Sequence, residues 1–280
     1  MDIILLIQAV IMGIVEGITE FLPISSTGYM ILSADVMGFW SKDKVDLFVV
    51  VVQLGAILAV IYDYWGRLWQ AFMGLLTGKA AGMSNPRQLG LSLIVATIPV
   101  MLVGFTFADE IKTYLFNPIT VAIMLIIGGL LIFYVEKRPK TVIACEAEDV
   151  SLKTALMIGL FQCLALIPGT SRSGATIIGA LWLGVSRKAS AEFSFFLGIP
   201  VIVGAALLDL LKHGDILSSR EDWLVLGVGT VVSFIVALLC IRWLVAWVSR
   251  RDFTIFAWLR IITGVIVLLA SWLFGYQMAG

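Results

Sequence analysis

The chain has 280 residues, of which 60% are hydrophobic and 14% charged, where an average soluble domain carries roughly 25% charged residues. Its 19 basic and 19 acidic residues cancel to a formal net charge of zero, so no basic surface points to nucleic acid. Cys145, Cys163 and Cys240 are too scattered for a disulfide framework or a zinc site. The opening MDIILLIQ has Asp2 and no positive n-region, so no cleaved signal peptide is read there. Composition therefore specifies a single all-α polytopic membrane domain.

In chain order, the first stretch, 3–38, has two short apolar halves around a Pro/Gly/Ser break. Each half falls short of the ~20 residues a bilayer crossing needs, so the pair reads as a re-entrant helix–loop–helix. Spans are expected at 46–64, 88–108 and 118–136, with a short interfacial helix at 66–78, whose start carries Trp65, Arg67 and Trp69. A second broken stretch, 153–185, repeats the re-entrant pattern, and three more spans follow at 188–212, 223–248 and 254–276. Pro99 and Pro200 fall inside spans and are expected to bend them. Arg260 sits within the last span, nearer its cytoplasmic end, where snorkelling or pairing is the ordinary reading.

Charge bias sets the orientation. If both broken pairs return to the side they entered, one side collects Arg67, Lys79, Arg87, Lys137, Arg138, Lys140, Lys153, Arg187, Lys188, Arg250 and Arg251. The other collects Lys42, Lys44, Lys112, Lys212 and Arg220. The positive-inside rule puts the first set in the cytoplasm and both termini outside. The two broken pairs then enter from opposite faces, as in an inverted repeat of about 1–136 and 151–276 whose polar loops meet near the midplane. Aligning Gly13 with Gly159 pairs Glu16 with Gln162, Ser25 with Ser171 and Gly28 with Gly174.

The breaks carry the chemistry. Lipid tolerates open backbone and ionised side chains only where protein or trapped water surrounds them. Glu16 and Glu20 are four apart, on one helix face. Two neighbouring carboxylates resist joint ionisation unless a divalent metal, Arg172 or a shared proton lies between them. The loop Pro23-Ile24-Ser25-Ser26-Thr27-Gly28 then offers three hydroxyls and free amides at a helix start, a setting that favours anions. Pro168-Gly169-Thr170-Ser171-Arg172-Ser173-Gly174 repeats this and adds a guanidinium that forks onto phosphate oxygens. Helix capping accounts for one hydroxyl per loop, not three plus an arginine. Together the loops read as a phosphate or diphosphate cradle.

EGITEFLPISSTG followed by PGTSRSGAT resembles the bacterial undecaprenyl-diphosphate phosphatases of the bacitracin-resistance type. The resemblance runs over essentially the whole chain, including VQLGAILAV at 52–60 and EFSFFLGIP at 192–200. It implies a multi-pass enzyme of the bacterial inner membrane that hydrolyses undecaprenyl diphosphate to undecaprenyl phosphate and inorganic phosphate, recycling the lipid carrier of cell-wall synthesis. It also implies a divalent cation, Mg2+ or Ca2+, at Glu16 and Glu20. The family motif selects Ser26 as the oxygen that attacks phosphorus or positions a water, with Glu16, Glu20 and Arg172 as the other catalytic residues. Ser25, Thr27, Gly28, Tyr29, Gly169, Ser171, Ser173, Thr176 and Gln162 are assigned to substrate binding, in a site opening to the outer leaflet.

One position departs: family members commonly carry histidine where this chain has Tyr29. Tyrosine titrates near 10 when unperturbed, which puts a histidine-centred mechanism in doubt. The single histidine, His213, reads as a solvated loop residue, which removes a phosphatidate-phosphatase-like alternative. A lipid-phosphate flippase using the same broken helices, and a non-catalytic scaffold, are the remaining competitors. Undecaprenyl diphosphate and membrane lipid are the expected partners. A homodimer is admitted, although nothing in the sequence sets the oligomeric state.

Overall fold

The computed structural model describes residues 2–78, 85–115, 117–138 and 141–274, the side chains of 108–113 and 274 excepted. Eleven α-helices run through the described residues: α1 (Ile3–Thr19), α2 (Ser26–Met37), α3 (Lys42–Asp63), α4 (Trp65–Thr77), α5 (Pro86–Leu115), α6 (Pro118–Lys137), α7 (Leu152–Cys163), α8 (Arg172–Trp182), α9 (Arg187–His213), α10 (Arg220–Val248) and α11 (Thr254–Phe274). Six of them, α3, α5, α6, α9, α10 and α11, are long and apolar enough to cross a membrane. Each expected span lies on one of these six, except that residues 275 and 276 of the last lie outside the described residues.

Local chemistry sets several boundaries. Asn117 Oδ1 accepts from the Thr120 amide at 2.9 Å ahead of Pro118, and Ser151 Oγ accepts from the Thr154 amide at 3.1 Å, so α6 and α7 start with side-chain caps. Ser219 and Asp222 form a reciprocal capping box at the start of α10. Pro99 and Pro200 lie inside α5 and α9.

Side-chain size decides which face of each helix meets protein. On α1, Ile3, Ile7, Ile11, Ile14 and Ile18 are exposed along one stripe, as a lipid-facing surface requires. Its opposite stripe carries Ala9, Gly13 and Gly17, and α1 packs there on α10. A Cβ on Gly13 would lie 2.5 Å from the Gly229 carbonyl oxygen. Backbones come this close where small residues recur every fourth position, the usual packing device of membrane helices. The other main pairings are α5 with α7, α3 with α9 and α10, and α6 with α11.

Ion pairs tie the two ends of the bundle. At one end, Lys44 Nζ donates to Asp222 Oδ1 at 2.6 Å. At the other, Arg187 clasps Glu136, Arg242 Nε donates to Asp63 Oδ1 at 2.8 Å, and Arg67 donates to both Glu192 (2.7 Å) and Glu148 (2.5 Å). Most described cations of the sequence-defined basic side gather at this second end. Lys79 and Lys140 lie outside the described residues, as does the Lys112 side chain on the opposing side.

Candidate active site

Both short helices follow a break, and both breaks are built the same way. α1 ends at Thr19, and the Glu20 amide still donates to the Glu16 carbonyl at 3.0 Å. The chain then turns through Phe21–Ile24 to Ser25, which holds φ +77°, and α2 begins at Ser26. In the second break, a 3-10 turn at Leu164–Leu166 leads to Ser171 at φ +70°, and α8 begins at Arg172. Left-handed non-glycine residues cost on the order of 1–3 kcal/mol and persist where surroundings hold them, characteristically at functional sites. The first residue of each helix, Ser26 and Arg172, is thereby aimed at the same space.

That space is a cavity of about 190 Å³ whose walls include Glu20, Ser25, Ser26, Thr27, Ser171, Arg172 and Ser173, with Gln53 from α3 and Val201 and Ala205 from α9. Ser26 Oγ donates to Glu20 Oε2 at 2.6 Å. Arg172 Nη2 donates to the other oxygen, Glu20 Oε1, also at 2.6 Å, and Arg172 Nη1 donates to the Ser194 carbonyl at 2.8 Å. A Cβ on Gly198 would sit 2.6 Å from both terminal guanidinium nitrogens, so a side chain at that turn of α9 would push Arg172 from its present seat. Glu16 lies behind Glu20, completely buried; no donor among the described residues reaches its carboxylate oxygens, and the Glu20 carboxylate is near enough to share a proton with it.

The two loops are stitched to each other. Ser173 Oγ donates to the Leu22 carbonyl at 2.9 Å and sits 3.1 Å from Ser171 Oγ. Ser171 also caps α8 through the Gly174 amide at 3.0 Å. Ser25 makes no capping bond, so the first loop keeps a hydroxyl that its helix does not use. Thr176 Oγ1 lies 2.7 Å from Ser194 Oγ and also donates to the carbonyls of its own helix.

Of the residues singled out in the sequence, Glu20, Ser25, Ser26, Thr27, Gly169, Ser171, Arg172 and Ser173 line the cavity. Glu16, Gly28, Tyr29, Gln162 and Thr176 do not. Gln162 is fully buried and its amide has no hydrogen-bond partner among the described residues. Tyr29 turns toward α11, its hydroxyl 2.7 Å from Thr263 Oγ1. His213 pairs with Asp209 at 2.9 Å near the end of α9, remote from both loops.

Arg260 does not snorkel. It is fully buried, and it donates to the carbonyls of Pro23 (3.0 Å), Gly169 (3.0 Å) and Thr170 (3.0 Å), and to Met124 and Leu125 of α6. One guanidinium thus pins both loops to α6 and α11. Ser194, Gly198 and Gln53 also belong to the site; they lie in the stretches 192–200 and 52–60, to which the sequence assigned no role. Arg260 was visible as a charge in an apolar span, but its partners are backbone carbonyls that only the folded chain brings together.

Fold and site together define a multi-pass membrane protein whose two helix breaks converge on one cavity of hydroxyls, a carboxylate and a guanidinium. Residues 9–266 match the family model described as bacitracin resistance protein BacA. The chain is 89% identical to a protein of Psychrobacter cryohalolentis and 90% identical to one of Psychrobacter arcticus, each over 280 residues and the full length of both chains; both relatives are named undecaprenyl-diphosphatase. A protein of Acinetobacter baylyi named undecaprenyl-diphosphatase 1 is 59% identical over 272 residues, covering 97% of this chain and 98% of the relative. The chain belongs to the BacA family.

Proposed function

We infer that the protein is an undecaprenyl-diphosphate phosphatase of the bacterial inner membrane, releasing inorganic phosphate and leaving undecaprenyl phosphate for another round of carrying cell-wall precursors. The observation that carries the reading is the Ser26–Glu20–Arg172 chain. A nucleophile hydroxyl 2.6 Å from a carboxylate, with that carboxylate oriented by a third group, is the arrangement covalent catalysis requires.

In the reaction, Ser26 Oγ attacks the terminal phosphorus as its proton passes to Glu20 Oε2. The bond from that phosphorus to the bridging oxygen breaks, the leaving oxygen takes the proton from Glu20, and undecaprenyl phosphate departs with the carboxylate restored. Water, activated by the same carboxylate, then cleaves the Ser26 phosphoester and frees phosphate. Ser25, Thr27, Ser171 and Ser173 supply hydroxyls around the transferred group, whose charge must be held in place for phosphoryl transfer. Arg172 Nη2 and Nη1 each donate one hydrogen, to Glu20 and Ser194, and Nε has no partner among the described residues, so the guanidinium keeps N–H donors for phosphate oxygens. Rapid quench with substrate, followed by mass spectrometry of the Ser26 peptide, tests the covalent step. A phosphorylated Ser26 is the expected result, and turnover without it would move Ser26 to positioning the attacking water.

A divalent cation fits at Glu16 and Glu20. Carboxylate oxygens are hard donors suited to Mg2+ or Ca2+, and the two Glu16 oxygens are buried with no other partner among the described residues. Those residues contain no group of three or more His, Cys, Asp and Glu side chains that could hold a metal, so Glu16 and Glu20 would hold the ion as a pair. When bound, the ion offsets the negative charge of the diphosphate.

The halves 1–136 and 151–276 are related as inverted repeats in this reading. Support comes from the pairings: α1 with α10 is mirrored by α7 with α5, while α3–α9 and α6–α11 map onto themselves. The basic end is then cytoplasmic and the first loop opens outward. A flippase on the same scaffold needs the anion site but no hydroxyl held against a carboxylate, and the Ser26–Glu20 bond favours the enzyme.

A further inference from the structure

At the basic end, away from the diphosphate cavity and sharing no residue with it, lies a larger basin of about 570 Å³. It is walled by the ends of α6, α8 and α10, by the start of α9, and by the strap that precedes α7. The strap is held rigidly: the Ile143 amide donates to the Gly184 carbonyl at 2.8 Å and the Ser186 amide to the Ala144 carbonyl at 2.9 Å. Three cations, Arg138, Arg187 and Lys188, face the basin, against the single carboxylate of Glu136.

That carboxylate is spoken for. Glu136 accepts from Arg187 Nε and Nη2 and from the Phe253 amide, so its charge is matched by Arg187 and does not offset the other two. Arg138 has no ion pair or hydrogen bond among the described residues; its guanidinium lies over the Trp182 ring at 5.1 Å. Lys188 reaches Glu146 at 3.1 Å, but both side chains are about two-fifths exposed, and exposed pairs of this kind hold weakly. With Glu136 and Asp252 beside Arg187 and Glu146 beside Lys188, Arg138 is the cation left without a counter-charge, and with the Ser186 and Ser249 hydroxyls on the wall it gives the basin donors for a phosphate group.

The surroundings say where that phosphate comes from. Trp182 packs against Tyr134 with centroids 5.4 Å apart, and both rings are exposed. Val142 and Ile143 of the strap are exposed as well. Exposed tryptophan and tyrosine beside exposed aliphatic residues mark the membrane–water interface, and basic pockets between helices at that level seat lipid headgroups.

We propose that this basin is a second phosphate site, one that seats the headgroup of an anionic phospholipid through Arg138, Lys188 and the free edge of Arg187. The test is native mass spectrometry of the full-length protein released from detergent, titrated with phosphatidylglycerol or phosphatidylcholine. It is run on the wild type and on the double variant Arg138→Gln, Lys188→Gln, with and without millimolar inorganic phosphate. Arg187 is left alone because it holds Glu136, and a Lys188→Gln single variant guards against a folding defect in the double variant. The expected result is preferential retention of phosphatidylglycerol, falling roughly 30-fold in the double variant and unaffected by inorganic phosphate. Equal retention of the two lipids, or anionic selectivity that survives in the double variant, would overturn the proposal. Displacement by inorganic phosphate would overturn its lipid assignment in favour of the free anion.

Discussion

Ser26 and Glu20 share one short hydrogen bond, and the proposed chemistry turns on it. Ser26→Ala removes the attacking oxygen and Glu20→Gln removes the base, so each is expected to lower kcat by about 10²–10⁴-fold while leaving the protein folded. Steady-state phosphate release alongside thermal unfolding separates the two readouts. Gly198→Ala is a subtler probe. Its Cβ would lie 2.6 Å from the Arg172 guanidinium, and displacing that group by about 1 Å is expected to lower turnover by up to ~10²-fold. Unchanged kinetics in that variant would show that Arg172 does not need its present seat. Tyr29, by contrast, bonds to Thr263 and stands outside the cavity wall. Tyr29→His is expected to keep turnover within a few-fold of wild type, with a flat activity ratio across pH 6–8 because no group in the proposed proton path has changed. A new titration in that ratio would bring position 29 into the chemistry.

At the scale of elements, Arg260 is what makes two separate loops one site. It carries bonds to Pro23 in the first break and to Gly169 and Thr170 in the second. Arg260→Ala leaves these buried carbonyls without their donor, and a loss of at least about 1–3 kcal/mol is expected, measured as denaturant-induced unfolding in detergent. Arg260→Lys is expected to recover only part of it, since an ammonium cannot reach carbonyls on three segments at once. Wild-type stability in both variants would mean that the Ser173–Leu22 bond holds the loops unaided. The helices themselves were legible in the sequence, because runs of about 20 apolar residues and two Pro/Gly/Ser interruptions are local signals. The cavity's hydroxyls, Glu20 and Arg172 were legible for the same reason, being clustered in two motifs. Arg260, Ser194 and Gly198 were not, because each acts on a residue far away in the chain and no local pattern encodes that pairing. Tyr29 was placed beside the substrate by its motif neighbours, yet its own helix turns it toward α11.

For the whole molecule, the two ends differ in charge, and the proposed orientation follows from that difference by the positive-inside rule. Cys145 is exposed and lies at the basic end, where its carbonyl accepts from Ser186 Oγ. With Cys163 and Cys240 replaced by serine, a membrane-impermeant maleimide is expected to label Cys145 in inverted vesicles and not in spheroplasts. Labelling from the outside would reverse the orientation and place the first loop toward the cytoplasm. Orientation decides which leaflet supplies substrate, but it matters only if the cavity cuts what it binds. The most direct test is therefore phosphate release from undecaprenyl diphosphate by the purified protein in detergent, with magnesium or calcium and with chelator, for wild type, Ser26→Ala and Arg172→Ala. Metal-dependent release that both substitutions abolish is the predicted result. A folded wild-type protein that releases no phosphate, or variants that release it at the wild-type rate, would contradict the assignment of the Ser26–Glu20–Arg172 chain as the catalytic centre.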